Sequence, residues 1–578
     1  MHNHKNMLSP KFRIAAGLLG MVGLLTTVSC STISRSTTPA SGSQTGSTIV
    51  GGPESSTQGV LAAARLFNIK DYGATGNKEN LVTSAIQTAI DAAFAQGGGI
   101  VYIPAGDHLS GTIELRSNVT LYFETGATLW ASQNEKDFRE IPYNTIYDKI
   151  PVLIYATGVE NVAIRGKGKI HGQARRELKD FRKPRNFNRM VDGDEVRNAF
   201  ESGIDMQRYT KIPPYVTLAL FSKSKNITLE DVTFLESNFW TLHVYRSENV
   251  VIRGIQVYSD MTSGVNADGI GIDSSRDVTV SDVIIRVGDD GIVLKTSYDE
   301  EGFFPTENVI VNNCNISSSS AGLKIGTETF SDFRNIHFSN CILHNTNRGL
   351  NIVMRDGGLI ENVTFTNITI EANRKDWFWW GNGDPIWVVI LKRNGNSKLG
   401  SIRNVVFDNI IARGQGTSRL EGFAPNKEHP EGRYLENIQL RDVKIQMEPE
   451  GKEDKRATHG LQASYVDRLR LENIDINWNP DVVELEWASA LDLLEVDRLT
   501  LRGFVGRQGV IRSLLPVVQA RNLTNSTIED VEGHEGAGVL LHFSGYKTSN
   551  VLFDRVNRMR IANRTVRVEM DVPVGGVQ

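Results

Sequence analysis

Three short strings near the middle of the chain bring carboxylic acids together in a pattern that suits acid–base chemistry. They read NADG at 266–269, GDDG at 288–291 and SAGLKIG at 320–326. Each string leads into alternating apolar residues, which is the pattern of a β-strand. Adjacent strands lie about 4.8 Å apart, so Asp268, Asp289 and Asp290 are predicted to meet on one face. Carboxylates paired in this way are the catalytic groups of glycoside hydrolysis.

A nine-residue repeat supplies the strands that must position these acids. A polar residue, often Asn, is followed by apolar–x–apolar, two polar residues and a second apolar–x–apolar. Clear copies start at residues 161, 226, 249, 277, 308, 335, 362, 404, 437 and 468. Self-similarity at roughly 20–50 residues indicates a solenoid, and the alternation indicates strands rather than helices. We therefore predict an all-β fold, a parallel β-helix with several short strands per turn.

The repeat also accounts for several polar residues without any function. A ladder of side-chain amides is predicted at the sixth position of five copies, at Asn313, Asn340, Asn367, Asn409 and Asn473. Cys314 and Cys341 share the seventh position and are predicted to stack as small apolar core residues. A helix over roughly 82–95 is predicted to cap the N-terminal end of the solenoid, where core would otherwise be exposed.

The first sixty residues indicate export rather than fold. Residues 1–30 have the basic start and apolar stretch of an export signal and end in Val-Ser-Cys. This ending resembles a bacterial lipobox, with Cys30 as the lipidated residue; cleavage by an ordinary signal peptidase is the alternative. Residues 31–58 are rich in Ser, Thr and Gly, which predicts a flexible linker. The remaining 59–578 are predicted to form a single β-helix catalytic domain.

Charge and targeting together restrict the partners. The chain has 578 residues and a net charge of −4, with no basic excess, so we expect no nucleic-acid partner. We expect an exported lipoprotein of the bacterial cell envelope, in the periplasm or at the cell surface. Its contact with the membrane is expected to be through the N-terminal lipid alone.

The inward apolar residues of four consecutive strands give an explicit register. It places one column immediately before the strands, formed by Asp268, Asp290, Ala321 and Arg348. Two outward columns follow, which read Gly271, Val293, Lys324, Asn351 and Asp273, Lys295, Gly326, Val353. A ladder of surface charges is one interpretation of these columns. Three packed acids favour another, because their repulsion raises one pKa while a second group stays ionised, as an acid–base pair requires.

The strings resemble glycoside hydrolase family 28, the polygalacturonase family, within a stretch of roughly 66–480. Asn266 with Asp268, followed by Asp289 and Asp290, matches the family pattern Asn-x-Asp and Gly-Asp-Asp. The resemblance implies a right-handed, pectate-lyase-like β-helix and an inverting mechanism. Asp289 would protonate the leaving oxygen, while Asp268 and Asp290 would activate water across a separation of about 6.5–9.5 Å. It implies no cofactor and no metal.

The resemblance also nominates groups that bind the substrate. Four of them are Asn266, Trp240, His243 and Lys295. The family's Gly-His-Gly histidine falls on Ala321, and its Arg-Ile-Lys pair falls on Asn351 and Val353. In the family, the Arg and Lys grip the carboxylate of the sugar beside the scissile bond, and neither is present here. Lys324 and Arg348 are the predicted replacements, and Asn351 is predicted to contact the substrate beside them.

Two inserted loops are expected to shape the substrate groove. One contains DWFWWGNGDPIW at 376–387, where Trp379 and Trp380 are predicted to stack on sugar rings; a packed loop is the alternative. The other, 171–215, is rich in Arg and Lys and is either a contact for an acidic glycan or a solvated loop. Loops that close the groove into a pocket would favour attack on chain ends.

The leading hypothesis is therefore an inverting glycoside hydrolase that cleaves α-glycosidic bonds in pectic polysaccharides or oligosaccharides. It would be exo-acting and similar to polygalacturonases or galacturonosidases, with a pectic or other acidic glycan as its partner. A polysaccharide lyase and a non-catalytic, glycan-binding β-helix are the alternatives. The missing family cations favour the binding protein, and the retained acids Asp268, Asp289 and Asp290 argue against it.

Overall fold

The structure of this protein is a computed structural model, and the parts of the chain it describes are 65–142, 149–178, 209–376, 379–453, 455–557 and 561–578. The predicted export signal and linker, with Cys30, lie outside these residues. So do Trp377, Phe378 and the basic segment around Arg185 of the second inserted loop. Within the described residues, no helix has the length and hydropathy needed to cross a membrane.

The strands wind into a right-handed parallel β-helix, as predicted. Successive residues of a strand point to opposite faces, so each repeat sends its apolar residues inward and its polar residues outward. Three parallel sheets run along the solenoid. We name them the site sheet, the ladder sheet and the short-strand sheet.

The site sheet carries the predicted acids at the start of its strands. Its strands are Ile113–Glu114, Lys149–Thr157, Thr217–Ser222, Leu242–Tyr245, Ile270–Asp273, Ile292–Thr296, Ala321–Thr329, Arg348–Met354, Asp384–Ile390, Ser418–Glu421, the first part of Leu461–Trp478, Leu491–Asp497, the first part of Pro516–Gly533, Ala537–Ser544 and Ile561–Val568. The predicted register is confirmed, because consecutive strands pair at Ile270, Ile292, Leu323 and Leu350. The first outward column is likewise formed by Gly271, Val293, Lys324 and Asn351.

The second outward column departs from the prediction after Lys295. Asp273 pairs with Lys295 as expected. The next strand has two extra residues near its end, where the register shifts, so Lys295 does not pair with Gly326. The extra length lets Glu328 turn toward Lys295, and the predicted column is broken at this point.

The ladder sheet forms a second side of the solenoid. Its strands are Leu66–Asn68, Gly99–Ile103, Val119–Phe123, Glu160–Gly166, Lys225–Glu230, Glu248–Arg253, Arg276–Ser281, Thr306–Asn312, Phe333–Thr346, Leu359–Ala372, Ser401–Gly414, Leu435–Met447, Thr500–Gly506 and Ser549–Val556, together with the later parts of the two long strands divided above.

Side-chain amides connect the turns of this sheet, as predicted. Asn367 donates to Asn340 Oδ1 at 3.1 Å and accepts from Asn409 Nδ2 at 2.9 Å. At two other turns the ladder amide donates to an aspartate instead, as Asn313 and Asn473 do. All five have positive φ, a conformation that Asn adopts more readily than most residues.

The short-strand sheet completes the triangle. Its separate strands are Asn77–Leu81, Gly106–Ser110, Ala127–Ala131, Lys169–His171, Thr233–Leu235, Gln256–Tyr258, Ile284–Val287 and Asn315–Ser318. Outside the three sheets, Glu140–Pro142 pairs antiparallel with Lys149–Thr157, and Arg175–Leu178 forms an antiparallel hairpin with Tyr209–Ile212. Two 3₁₀ helices occupy Ile69–Tyr72 and Glu135–Asp137.

The core repeats from turn to turn. Phe338, Phe365 and Phe407 stack with centroid distances of 4.8 and 5.0 Å, near the spacing of adjacent strands. Cys314 and Cys341 are both buried on consecutive turns, which confirms that they are core residues.

The predicted capping helix is also confirmed. It spans Thr83–Ala95 and buries Ile86, Ala89, Ile90 and Ala93 completely. The helix lies against the first strands of the ladder sheet, where a solenoid would otherwise expose its core.

Candidate active site

The predicted acids stand immediately before strands of the site sheet, where glycine lets the backbones approach closely. The Gly269 N–H donates to the Asp290 carbonyl, and the Gly291 N–H donates to the Ala321 carbonyl, both at 2.8 Å. A Cβ at Gly269 would lie 2.5 Å from the Gly291 carbonyl oxygen, so a larger residue would push the turns apart. The glycine after each acid therefore keeps Asp268 and Asp290 on neighbouring turns of one column.

Asp268, Asp289 and Asp290 form a tight, buried trio. One carboxylate oxygen of each lies within 4.8 Å of the others, and each residue is at most 5% exposed. This is closer than the separation of about 6.5–9.5 Å that we expected for an inverting pair. The trio is compact because two of its members are adjacent in sequence and the third lies one turn away.

Burial and repulsion from neighbouring carboxylates favour protons on two of the three acids, Asp268 and Asp289. Burial, followed by the charge of Asp289, raises the pKa of Asp268 well above its usual range. Burial and the charge of Asp290 raise the pKa of Asp289 to about 6, although Lys324 and the Asn266 N–H oppose the rise. Because Asp268 and Asp289 interact, they share protons and titrate as a unit. The trio therefore retains a proton to donate in weakly acidic solution.

Two lysines and a hydroxyl orient the carboxylates. Lys324 Nζ donates to Asp290 Oδ2 at 2.6 Å, and the Ser320 hydroxyl donates to Asp290 Oδ1 at 2.8 Å. Lys295 Nζ lies 3.7 Å from Asp268 Oδ2. Part of the negative charge of the trio is thus neutralised by two ammonium groups. Lys295 lies on the turn of Asp290, and Lys324 lies on the next turn.

Glu328 shares Lys295 with the trio. Its Oε2 lies 3.2 Å from Lys295 Nζ, and its Oε1 lies 3.6 Å from Arg393 Nη2. Although burial opposes the change, Lys295 and Arg393 lower the pKa of Glu328. Lys295 is therefore held between two carboxylates, which fixes its position beside Asp268.

Trp240 and His243 are buried behind Lys295, where their rings pack against each other. Their rings stack with centroids 4.5 Å apart, and Lys295 Nζ lies 5.0 Å from the centre of the Trp240 ring. His243 Nε2 lies 3.7 Å from Asp273 Oδ2, and burial lowers the pKa of His243. His243 is 1% exposed and fills the space that a side chain at Gly271 would occupy. Both predicted substrate contacts are thus placed to support Lys295.

Arg348 forms an ion pair with an acid on the next turn. Arg348 Nε donates to Asp384 Oδ2 at 3.2 Å, and its guanidinium lies 3.5 Å from the centre of the Trp387 ring. Asp384 pairs with Arg348 in the register and so continues the column of Asp268 and Asp290. The contacts place this predicted replacement cation inside an ion pair.

The positions that lack the family residues are apolar or uncharged. Ala321 has no exposed surface, and Val353 packs with Trp387 and Val389. Asn351 is 1% exposed, and its Oδ1 accepts no hydrogen bond from the described residues. An acceptor buried without a partner is rare in folded proteins and calls for an explanation.

Asn266 connects the trio to the second inserted loop. Its N–H donates to Asp289 Oδ2 at 2.9 Å, and its side-chain Oδ1 accepts from Lys211 Nζ at 2.9 Å. Lys211 lies on the strand Tyr209–Ile212 of the hairpin. Burial lowers the pKa of Lys211 to about 8, although the charge of Asp289 opposes this. A cation is therefore present on this flank of the acids at neutral pH.

The comparison with known families agrees with this arrangement of acids. Residues 98–376 match the model described as Glycosyl hydrolases family 28. Over this stretch the chain is similar to glycosyl hydrolase family 28. All three acids, Lys295, Lys324 and the strand of Asn351 fall within the matched family 28 region.

The relatives of this chain include two enzymes of plant and bacterial origin. A probable polygalacturonase of Vitis vinifera is 29% identical over 283 residues, covering 46% of this chain and 53% of that protein. An exo-poly-alpha-D-galacturonosidase of Dickeya chrysanthemi is 28% identical over 258 residues, covering 40% and 42% respectively. The chain spans about half the length of these curated relatives. The structure of an exopolygalacturonase from Thermotoga maritima shares the fold, with a TM-score of 0.55, 24% identity and coverage of 71% and 91%.

The tryptophan loop begins where the family 28 match ends. Trp379 is 2% exposed and packs against Val265, next to Asn266, and the partly buried Trp380 packs beside it. Trp379 therefore holds the loop against the turn that carries Asp268, as in the packed-loop interpretation. Of this pair, Trp380 is the ring with surface to offer a sugar.

Three charged residues of the family 28 site were not anticipated from the sequence. Lys211 gave no local signal, because its contact with Asn266 depends on how the hairpin folds back. Glu328 depends on the register shift after Ile325. Asp384 had a signal, since GDPIWVV repeats the acid-before-strand pattern of GDDGIVL. It lies inside the 42-residue step between the repeats at 362 and 404, and this irregular step hid the match.

Proposed function

We propose that this protein hydrolyses α-glycosidic bonds in pectic glycans. The observation that carries the proposal is the buried trio of Asp268, Asp289 and Asp290, whose oxygens lie within 4.8 Å of one another at the family 28 positions. A raised pKa supplies a proton donor, and a neighbouring carboxylate supplies a base. Hydrolysis of a glycosidic bond requires both.

The proposed mechanism assigns each acid one task. Asp289 protonates the leaving oxygen, which breaks the bond to the anomeric carbon. Asp268 and Asp290 take a proton from water as it attacks the opposite side of that carbon, so the configuration inverts. The assignment of Asp289 as the donor follows the family pattern, because burial raises the pKa of both Asp268 and Asp289. Lys324 and Lys295 keep the carboxylates in position.

Attack on chain ends is the second part of the proposal. Lys211 reaches Asn266 from the inserted hairpin, and the Trp379 segment packs on Val265 from the other inserted loop. Two insertions thus crowd the turn that carries Asp268. Crowding of one end of a groove favours a pocket that accepts chain termini, which agrees with the exo-acting relative from Dickeya chrysanthemi.

The location of the enzyme is the third part. The Val-Ser-Cys sequence ending at Cys30 and the Ser/Thr/Gly-rich 31–58 support a lipid anchor and a tether. The proposed enzyme then acts in the bacterial cell envelope. Metabolic labelling with an alkyne-modified fatty acid tests this, because Cys30→Ser should abolish the label.

Product analysis on pectic oligosaccharides of defined length tests the activity. We expect monosaccharides or the shortest products to accumulate from the outset, and a ladder of intermediate oligomers would contradict exo action. Asp289→Asn should bind the same oligosaccharides without turnover. If the wild type binds them and releases nothing, the alternative of a non-catalytic glycan-binding protein is correct.

One observation favours a second candidate, a polysaccharide lyase. The three carboxylates are close enough to share a divalent cation, and lyases on β-helices use such a cation with a basic residue. The ammonium groups of Lys324 and Lys295 compete for the same oxygens, which favours hydrolysis. Loss of activity with EDTA, together with products that absorb ultraviolet light, would establish the lyase.

A further inference from the structure

On the turns beyond the trio, one wall of the site has fewer positive charges than the family pattern provides. This wall is formed by Ala321, Lys324, Asn351 and Val353. Where the family carries cations that grip a sugar carboxylate, this chain has Asn351 and Val353, and Ala321 replaces the histidine. The register places Asn351 one strand beyond Lys324, whose ammonium contacts Asp290. The register therefore places these positions on the turns that follow the trio.

The nearby cations are already neutralised by the protein. Lys324 contacts Asp290 at 2.6 Å, and Arg348 contacts Asp384 at 3.2 Å. A sugar carboxylate would have to compete with these acids for the same hydrogen atoms. It would also lie close to the buried negative charge of Asp290. Like charges brought together in a desolvated site repel each other strongly, so this wall disfavours an acidic sugar.

The same wall has an unused hydrogen-bonding group. Asn351 Oδ1 is buried and has no partner among the described residues. A sugar hydroxyl can donate to an amide oxygen, whereas an ionised carboxylate has no hydrogen to give. The hydroxyl can also accept from the amide nitrogen, so it satisfies either orientation of the Asn351 side chain.

We propose that the sugar bound beside Lys324, next to the scissile bond, is a neutral residue whose hydroxyl pairs with Asn351. This rests on the proposed hydrolysis of pectic glycans and names the class of sugar at one subsite. Galacturonate elsewhere in the chain is compatible with it, because Lys211 provides a cation on the opposite flank of the acids.

A partially carboxyl-reduced pool of oligogalacturonides provides the substrate. Chemical reduction turns some galacturonate residues into galactose and keeps the linkage and length, so each molecule carries neutral and acidic residues in different places. Mass spectrometry of the products shows which residue lay beside each cleaved bond. We expect galactose to be enriched at one fixed side of the cut by about tenfold or more, from the cost of burying a like charge.

A binding measurement separates this inference from the proposed reaction. The Asp289→Asn variant is incubated with the same pool, and the retained oligosaccharides are analysed for neutral residues. Measured above pH 6, where Asp289 is ionised, the variant removes one negative charge, so any bias it introduces favours acidic sugars. Enrichment of galactose in the bound fraction supports the inference even if the wild type releases no product, in which case the proposed hydrolysis alone fails.

Variants at Asn351 locate the effect. Asn351→Lys restores a cation and should shift the preference toward galacturonate by about tenfold, whereas Asn351→Leu should weaken binding of the reduced sugar. Gln519→Lys is the matched control, because Gln519 occupies the same outward column five strands further on, about 24 Å away. It should leave the preference unchanged.

The inference is overturned by any of three results. These are equal or greater selection of galacturonate beside the cut by the wild type, equal or greater retention of acidic residues by Asp289→Asn, and no retention of either class. A shift in preference produced equally by Gln519→Lys would also overturn it, because the effect would then be one of overall charge.

Discussion

Two pairs of turns in the site sheet use the same backbone position for different purposes. In the first pair, Asp268 and Asp290 stand before their strands and face Asp289, with oxygens within 4.8 Å. In the second pair, Arg348 and Asp384 stand in the same column and bind each other at 3.2 Å. Both pairs are buried, and both are followed by inward-facing Ile or Leu residues.

The difference shows what the scaffold decides and what it leaves to the side chains. The solenoid fixes where a residue stands, because stacking and backbone hydrogen bonds repeat from turn to turn. The neighbour across the column then decides whether a buried acid keeps a raised pKa or becomes half of an ion pair. Asp268 is of the first kind and Asp384 is of the second.

The largest expected effect is on the first pair of turns. Asp289→Asn removes the proposed proton donor, so turnover should fall by about 10²–10⁴-fold. The loss should be smaller for a 4-nitrophenyl glycoside than for a methyl glycoside of the released sugar, since nitrophenolate leaves without a proton. Asp408→Asn, at a partly exposed acid paired with Arg441, is the control. Equal losses on both glycosides would show that Asp289 is not the donor.

A substitution in the second pair of turns should lower the stability of the folded protein. Asp384→Asn leaves the Arg348 guanidinium buried without its carboxylate, so the free energy of unfolding should fall by about 3–5 kcal/mol. Chemical denaturation measures this. The double variant Arg348→Met, Asp384→Asn should recover most of the loss, because it removes the stranded charge. If the single and double variants are equally unstable, the ion pair is not what stabilises these turns.

A smaller effect is expected where the hairpin meets the first pair. Lys211→Met removes the charged hydrogen bond to Asn266, which should lower kcat/KM by about tenfold. Steady-state kinetics measure the change, and most of it should lie in KM if Lys211 orients the substrate. Lys444→Met, at an exposed lysine of the strand Leu435–Met447, provides the comparison. An unchanged kcat/KM would show that Lys211 contributes neither to substrate binding nor to catalysis.

The smallest effect is a displacement of the pH profile. Asp289 must be protonated to donate, and its pKa is raised to about 6, so kcat/KM should fall as the pH rises through about 6. Lys324 opposes this rise in the pKa. In Lys324→Gln the pKa should therefore increase, and the falling limb should move to higher pH. A limb that stays in place or moves to lower pH would contradict the assignment.

Most of the fold could be predicted from the sequence, because the repeat of apolar and polar residues determines where the strands lie. Alternating apolar residues and the Asn ladder set the register, which is why Lys324 and Asn351 were placed correctly in one column. The contacts of these side chains were less accessible. That Arg348 is tied to Asp384 depends on an insertion of irregular length, and that Glu328 meets Lys295 depends on a register shift. Neither follows from a periodic pattern.

The most direct test of the central claim is the configuration of the first product. Proton NMR during hydrolysis of a pectic oligosaccharide should show the β-anomer of the new reducing end before mutarotation, since a single displacement at an α-linked carbon inverts it. The close spacing of Asp268, Asp289 and Asp290 makes this outcome informative. If the α-anomer appears first, one of the three acids is a nucleophile, and the proposed division of tasks among them is wrong.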